Sequence, residues 1–187
     1  MIEKVYLIHA AAQSGKNTCA DCIKEYYENN YKKRVLVIAF ADYVKFVLDK
    51  YYNTPFERTE EYRSKIQNFA TDQCRKIDSN VWADTVVRLL NVIIDDYDIV
   101  VIPDWRFKNE YDQLKYLTSN PNVIKVKITR PNNESTDNMT EEQREHSSER
   151  NLDNFKNFDY NIYNETSMLN KTYQQIIDMI DEVEKWD

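Results

Sequence analysis

Gly15 is the only glycine in 187 residues, and it lies between a short apolar run and a segment with helical spacing. A chain of this length would ordinarily carry about a dozen glycines. Asn or Asp can replace glycine at many left-handed backbone positions. A single retained glycine therefore indicates a place where even a Cβ would collide with a neighbour, and a bound phosphate is one candidate for that neighbour.

The residues around Gly15 have the order strand, loop and helix, which is the setting of a phosphate-binding loop. The apolar run KVYLIH precedes the loop AAAQSGKNT, and a helix follows it. Against the pattern G-x-x-x-x-G-K-[ST], Gly15 and Lys16 match. Ala10 replaces the first glycine, Asn17 replaces the hydroxyl residue, and Thr18 follows one place later. A plain strand-to-helix turn with a surface lysine is the alternative interpretation.

The chemistry of such a loop explains these residue types. Successive backbone N–H groups at a helix N-terminus converge on a phosphate, and the partial positive charge there favours the anion. Lys16 would add a full charge at the β- and γ-phosphates, where it matters most as the bond breaks. Thr18 is a better hydroxyl than Asn17 for the phosphate or its Mg²⁺. We predict that ATP is bound by Gln13, Ser14, Gly15, Lys16, Asn17 and Thr18.

Composition limits the partners of the chain. At 42% hydrophobic residues it can bury one sizeable core, which predicts a single domain. The net charge of −7 argues against a nucleic acid polymer as partner and favours a small anion. Three cysteines fit a reducing cytoplasm, with Cys19 and Cys22 as core residues. No run approaches about 20 apolar residues, so we predict no membrane partner.

Short apolar runs bounded by turns are typical of buried parallel strands, and they occur at 4–9, 34–40, 98–103, 123–129 and 160–164. Helical spacing separates them, at 15–29, 41–51, 56–77, 79–94, 107–118 and 166–184. This alternation predicts a doubly wound α/β sheet. Residues 131–158 are polar and long for a loop, which indicates either disorder or a functional lid.

Six segments together carry a resemblance to a known family: SGKNT, FADYVK, RSKIQNFATDQCRKIDSNVW, PDWRFKNE, ITRP and HSSERNLD. With the loop spelling G-K-x-T, they make most of the chain resemble the phage-type deoxynucleoside monophosphate kinases. The chain departs from the family pattern at four positions. Asn17 stands where Asp is usual, and glycines are usual at Ala10, Ala70 and Cys74.

This resemblance implies a fold and a reaction. The fold is the three-layer P-loop kinase fold, with a five-stranded parallel sheet flanked by helices. The core would comprise 1–50, 79–130 and 159–187, with a monophosphate-binding insert at about 51–78 and a lid at about 131–158. The reaction would convert ATP and a deoxynucleoside monophosphate to ADP and the diphosphate with Mg²⁺. A virus-like origin, the host cytoplasm and a homodimer belong to the same expectation.

The segment PDWRFKNE follows a buried strand, so Asp104 should emerge at the carboxyl edge of the sheet, where ligands bind in such folds. A carboxylate there can hold Mg²⁺ or its waters, and we predict Asp104 and Thr18 as the metal site. Arg106, two residues on, would face the monophosphate. Glu110 lies one helical turn further and would orient Arg106 or bind the nucleoside. An ion pair at a helix start is the alternative for this trio.

The predicted insert supplies further candidates for the acceptor site. Arg63 and Gln67 are four residues apart and share a helix face, which suits clamping a phosphate and reading a base edge. Trp82 could stack on the base or belong to the core. By resemblance Lys45 faces the monophosphate, and a solvated surface lysine is the alternative.

The predicted lid supplies the remaining candidates. In monophosphate kinases such a lid closes over the triphosphate and delivers arginines to the transferring phosphoryl group, so the resemblance assigns Arg130, Arg144 and Arg150 to catalysis with Lys16 and Asp104. His146 and Glu149 of the segment HSSE are assigned to the substrate. Two rival functions stay open. One is a kinase of another small anionic metabolite, and the other is a nucleotide-binding module without turnover.

Overall fold

The computed structural model describes residues 1–57, 59–131, 140–141, 145–165 and 169–186. Its strands are β1 (Lys4–Ala10), β2 (Val35–Val37), β3 (Ile99–Ile102), β4 (Asn122–Thr129) and β5 (Tyr160–Tyr163). They form one five-stranded sheet in the order β2-β3-β1-β4-β5, and every neighbouring pair is parallel. The described helices are α1 (Lys16–Tyr26), α2 (Phe40–Tyr52), α3 (Glu60–Gln67), α4 (Arg75–Ile77), α5 (Val81–Val92), α6 (Lys108–Gln113), α7 (Ser147–Arg150) and α8 (Leu169–Val183).

Helices cover both faces of the sheet, which makes the three layers that the sequence predicted. On one face the sheet packs against α1 and α8, through side chains such as Ile23, Ile176 and Ile180. On the other face it packs against α2 and α5, through Phe40 and Val86 among others. Burial on both faces explains why β1 and β3 read as apolar runs, whereas β4 alternates buried apolar residues with partly buried ones. The predicted fold class is confirmed.

The second strand is shorter than the apolar run 34–40 predicted. Phe40 belongs to α2 instead, because carboxylates satisfy the N–H groups at the start of that helix. Oδ2 of Asp42 accepts the N–H of Ala39, and Asp104 accepts the N–H groups of the next two residues. Apolar character alone does not distinguish a strand from the first turn of a buried helix.

The helical region 56–77 is present but not uniform. Thr59 caps α3, since its Oγ1 accepts the N–H of Tyr62 at 3.1 Å. A π-helical segment, Asn68–Cys74, then connects α3 to α4. Such segments in α-helices frequently accompany functional sites. The division of the chain into core, insert and lid stays a prediction.

In the part of the chain that the structure describes, no helix is long and apolar enough to span a lipid bilayer.

Candidate active site

The ends of four parallel strands meet at one edge of the sheet. The phosphate loop follows β1, Asp104 and Arg106 follow β3, Arg130 follows β4 and Asn164 follows β5. Ligands of open α/β sheets bind outside the carboxyl ends of the strands. The three segments that the sequence predicted for the site therefore lie at the expected edge. Asn164 lies there as well, although the sequence did not predict it.

The phosphate loop has two left-handed residues. Gln13 has φ of +56° and Gly15 has φ of +87°, which a glycine adopts without strain. Lys16 is the first residue of α1, so the N–H groups of its first turn lack intrahelical partners and face the loop. Ser14 is buried, whereas Asn17 and Thr18 are exposed in that first turn. This geometry can receive an anion.

The neighbour that excludes a side chain at position 15 is a protein group. A Cβ built on Gly15 would overlap with Nδ2 of Asn164. The same Nδ2 donates a hydrogen bond to the carbonyl oxygen of Ser14 at 2.8 Å. The sequence indicated that a Cβ at position 15 would collide with a neighbour and suggested a bound phosphate as that neighbour. Gly15 and Asn164 are 149 positions apart, so no local pattern connects them.

Lys16 is the centre of a cluster of charges. Burial lowers the pKa of its ammonium group to about 8, and Arg106 and Arg63 act in the same direction. Asp104 and Glu149 raise that pKa against the other effects. These groups come from the phosphate loop, the edge of the sheet, the predicted insert and the predicted lid. The structure thus brings four other predicted site residues within electrostatic range of Lys16.

Asp104 ties the end of β3 to the start of α2. Its two oxygens accept the N–H groups of Phe40 and Ala41, each at 2.9 Å. Burial raises the pKa of this carboxyl group, while those two hydrogen bonds and the charges of Arg106 and Lys16 lower it. A carboxylate at a helix N-terminus is favourably placed.

The donor set suits Mg²⁺ more than a metal held by a protein cage. Among the described residues no group of three His, Cys, Asp or Glu side chains converges on one point. Mg²⁺ commonly keeps several waters and binds one or two carboxylates together with substrate phosphates. The carboxylate of Asp104 and the exposed hydroxyl of Thr18 are compatible with that mode of binding.

Arg106 and Glu149 bind each other. Nη1 of Arg106 donates to Oε1 of Glu149 and, at 3.1 Å, to the carbonyl oxygen of Ser148. Both side chains are partly buried. The sequence assigned each of them to the substrate, and a phosphate at Arg106 would have to share this guanidinium group with Glu149 or displace that carboxylate.

Glu110 makes the orienting contacts that the sequence offered beside nucleoside binding, and its assignment to the substrate stays a prediction. It is only 2% exposed, it forms an ion pair with Arg75, and its Oε2 accepts the N–H groups of Arg106 at 2.8 Å and Phe107 at 3.0 Å. Burial raises the pKa of Glu110 to about 7, although Arg75 lowers it. Because protein groups occupy both oxygens, Glu110 orients the backbone at Arg106, as an ion pair at a helix start.

Trp82 takes the core position that the sequence offered as an alternative, and its stacking on a base stays a prediction. The ring is 7% exposed, its Nε1 donates to the carbonyl oxygen of Ala70 at 3.1 Å, and it packs against Phe69. Lys45 lies on α2 beside Asp42, with its Nζ 5.6 Å from the centre of the Phe56 ring. These contacts match the surface alternative for Lys45.

Gln67 has a buried amide with unused hydrogen-bonding capacity. The side chain is 8% exposed, and its Nε2 has no hydrogen-bond partner among the described residues. Arg63 lies one turn earlier on α3, and its charge lowers the pKa of Lys16. Buried donors without a partner are rare and commonly mark a place for a ligand or water.

The residues of the predicted lid have different outcomes. Arg130 donates from Nη1 to the carbonyl oxygen of Gln13 at 2.9 Å, which places it against the phosphate loop. Arg150 is half exposed and pairs with Glu145 and Asp153 of its own segment. Arg144 lies outside the described residues. Of the three arginines, the structure therefore brings Arg130 to the loop and leaves Arg150 at the surface.

His146 precedes α7 and caps its N-terminus. Its Nδ1 accepts the N–H of Ser148 at 3.2 Å, and its Nε2 lies 3.6 Å from Oδ1 of Asp72. The second contact joins the segment HSSE to the π-helical segment of the insert. Asp72 was not among the predicted site residues.

A cleft of about 530 Å³ opens beside this contact. Its size falls within the range of small-molecule sites, about 300–1,000 Å³. Residues of the predicted insert and residues in or next to α6 and α7 line it: Thr71, Asp72, Arg75, Lys76, Ser79, Phe107, Lys108, Asn109, Ser147 and Asn151. The guanidinium group of Arg75 stacks on the Phe107 ring, 4.1 Å from its centre. The residues that line the cleft come from segments far apart in the sequence. No local sequence pattern could therefore predict it.

No protein-family model and no curated protein sequence matches the chain. Solved structures match its fold. One is the APS kinase of Mycobacterium tuberculosis in complex with AMPPNP and APS, with a TM-score of 0.51, 10% identity and 98% of each chain covered. Another is the hexameric APS kinase of Thiobacillus denitrificans, with a TM-score of 0.52 and 9% identity over 97% of this chain. This chain spans 29% of the length of that protein. The likeness shows that the chain shares its fold with these two kinases.

Proposed function

We propose that the chain is an ATP-dependent phosphotransferase whose acceptor is a deoxynucleoside monophosphate. The observation that carries the proposal is the charge cluster around Lys16, which joins the phosphate loop to Asp104, Arg106 and Arg63. A plain strand-to-helix turn has no need for two arginines and two carboxylates around one partly buried lysine. A site that stabilises a polyphosphate requires such an excess of positive charge.

The cluster suits phosphoryl transfer in particular. This reaction needs little covalent chemistry from the protein, because positioning and cations at the phosphoryl oxygens supply most of the acceleration. Lys16 would hold the β- and γ-phosphates of ATP, while Arg106 and Arg63 would hold the phosphate of the acceptor. Mg²⁺, when bound through Asp104 and Thr18, would neutralise charge on the phosphates. No side-chain nucleophile is required.

The surroundings of Arg106 support an acceptor larger than a bare phosphate. The cleft lies beside it, since Phe107, Lys108 and Asn109 follow Arg106 in the chain and line the cleft. Gln67 offers a buried amide without a protein partner among the described residues. We infer that the acceptor's phosphate sits at the arginines and that its nucleoside extends toward the insert. The phage-type resemblance, which rests on the sequence motifs, selects a deoxynucleoside monophosphate.

Two rival functions have specific support. The Mycobacterium tuberculosis structure, which contains AMPPNP and APS, favours another small anionic acceptor on the same fold. The Arg106–Glu149 pair favours a nucleotide-binding module without turnover, because Glu149 occupies the guanidinium group that the acceptor would need.

A coupled assay of ADP release tests the proposal. The acceptors are the four common deoxynucleoside monophosphates, their ribonucleotide counterparts, APS and gluconate, each with Mg²⁺ and ATP. We expect release with one or more deoxynucleoside monophosphates. Lys16→Ala should lower kcat by at least ~100-fold, because a charge aimed at the transferring group contributes several kcal/mol. Lys24→Ala is the matched control on the exposed part of α1.

Each alternative has its own result in this assay. Release with APS or gluconate alone would support another small-metabolite kinase. ATP binding without release for any acceptor would support the module without turnover. Wild-type turnover in Lys16→Ala would contradict the assignment of the phosphate loop.

A further inference from the structure

Asn164 is a buried polar residue directly after β5. It is 8% exposed, and its backbone N–H donates to the carbonyl oxygen of Thr129 at 2.8 Å. That hydrogen bond continues the pairing of β5 with β4 beyond the last paired residues. The backbone of Asn164 is therefore fixed to the sheet, and its side chain extends from a rigid point.

The side-chain amide of Asn164 is held at both ends. Nδ2 donates to the carbonyl oxygen of Ser14 at 2.8 Å, and Oδ1 accepts from Oγ1 of Thr172, on α8, at 3.3 Å. Thr172 is itself buried. Two partners with opposite hydrogen-bonding roles set the orientation of the amide, because a flipped amide would face an acceptor with its oxygen.

This fixed amide accounts for the one glycine of the chain. A Cβ at position 15 would overlap with Nδ2 of Asn164, and the positive φ adds a separate penalty for any other residue. The side chain of Asn164 cannot turn away without leaving the Ser14 carbonyl without this donor in a buried place.

We propose that Asn164 is the positioning residue of the phosphate loop. Its amide fixes the Ser14 carbonyl by a hydrogen bond and packs against Gly15. The N–H groups after Gly15 are thereby held in their anion-binding arrangement before a nucleotide binds. Preorganisation of this kind raises affinity because less ordering remains for the binding step. This role in affinity rests on the proposed function as an ATP-binding protein.

The first test compares Asn164→Ala with a control at the same strand end. Gln175→Ala removes a neighbouring tether between α8 and β5, since Gln175 bonds the N–H and the carbonyl oxygen of Tyr163 but does not contact the loop. We expect Asn164→Ala to raise the Kd for ATP roughly tenfold, the effect of losing one well-placed buried hydrogen bond. Gln175→Ala should change it less than about twofold.

Hydrogen exchange in the free protein separates this role from the proposed function. Asn164→Ala should speed amide exchange in peptides covering 11–19, and Gln175→Ala should not. Unchanged exchange there, or equal effects of the two variants on the Kd for ATP, would overturn the positioning role. A wild-type protein that binds no ATP would overturn the proposed function, and the exchange result would still decide the role of Asn164 in shaping the loop.

A double-mutant cycle tests why Gly15 is kept. Gly15→Ala should lower Tm by at least about 4 °C in the wild-type background. In the Asn164→Ala background the loss should be about half of that or less, since only the backbone penalty then remains. Equal losses in the two backgrounds would mean that Asn164 is not the group that excludes a side chain at this position.

Discussion

Oδ1 of Asp104 lies 2.9 Å from the backbone nitrogen of Phe40 and accepts its N–H at the first residue of α2. Oδ2 accepts the next N–H, from Ala41. The same carboxylate raises the pKa of Lys16. One side chain therefore joins the end of β3, the start of α2 and the phosphate loop, so its removal should affect both stability and turnover.

Asp104→Asn should lower the free energy of unfolding by about 1–3 kcal/mol, because an amide presents one NH₂ group to a backbone N–H and leaves that donor without an acceptor. Urea denaturation measures this loss. Asp112→Asn, at an exposed position of α6, is the matched control and should change the free energy of unfolding by less than about 0.5 kcal/mol. Equal stability of Asp104→Asn and the wild type would mean that the two hydrogen bonds contribute nothing net.

Nucleotide binding should be coupled to proton uptake near pH 8. The pKa of Lys16 is lowered to about 8 in the free protein, so part of the population is neutral at that pH. Phosphates favour the charged ammonium and should raise this pKa, so that binding takes up on the order of half a proton at pH 8 and almost none at pH 6. Calorimetry of ATP binding in two buffers with different ionisation enthalpies measures the uptake.

Lys16→Arg is the control for this measurement, because an arginine stays charged throughout that pH range. It should abolish the uptake at pH 8. The same uptake in Lys16→Arg as in the wild type would assign the proton to another group.

Glu110 should make stability fall as the pH rises from about 4.5 to about 7. Burial raises the pKa of Glu110 from 4.5 to about 7 in the folded protein. Between those values the folded state binds more protons than the unfolded state, so the free energy of unfolding decreases with pH. Urea denaturation at pH 5 and pH 7 should show this contribution in the wild type and its absence in Glu110→Gln.

Other groups titrate in the same range, so the test is the difference between the two proteins rather than either slope. A larger gain of stability with pH in the wild type than in Glu110→Gln would show that the ion pair with Arg75 outweighs burial.

Local patterns predicted the parts of the fold that depend on neighbouring residues. The strand, loop and helix around Gly15 were predicted because apolar runs and a helix start are local features, and burial on both faces made β1 and β3 continuous apolar runs. The end of β2 was misplaced, because α2 begins at Phe40 through a carboxylate at position 104. Asn164 and Asp72 were missed for the same reason, since their partners Ser14 and His146 are 150 and 74 positions away.

The assignment of individual roles also depended on tertiary contacts. Arg106 and Glu149 were both predicted at the site, but their ion pair joins segments 43 positions apart. The sequence offered Glu110 as a ligand or as part of an ion pair, and it did not identify Arg75 as the partner. Residue type and spacing could thus nominate charged residues for one edge of the sheet, whereas the partners of each charge required the folded chain.

Substitutions of Arg106 and Glu149 should change the affinity for the monophosphate in opposite directions. Arg106→Ala should raise the KM for the monophosphate at least ~10-fold and change the KM for ATP little, because a charge-assisted contact to one ligand is lost. Glu149→Gln should lower the Kd for the monophosphate several-fold, because the acceptor then no longer competes with a carboxylate for the guanidinium group.

Glu145→Gln, which removes the carboxylate of the exposed pair with Arg150, is the control. Steady-state kinetics measure the KM values, and titration of the protein with each monophosphate in the absence of ATP measures the Kd values. A loss of affinity in Glu149→Gln as large as that in Arg106→Ala would show that Glu149 contacts the acceptor directly, as the sequence motif HSSE implies, and that it leaves Arg106 when the acceptor binds.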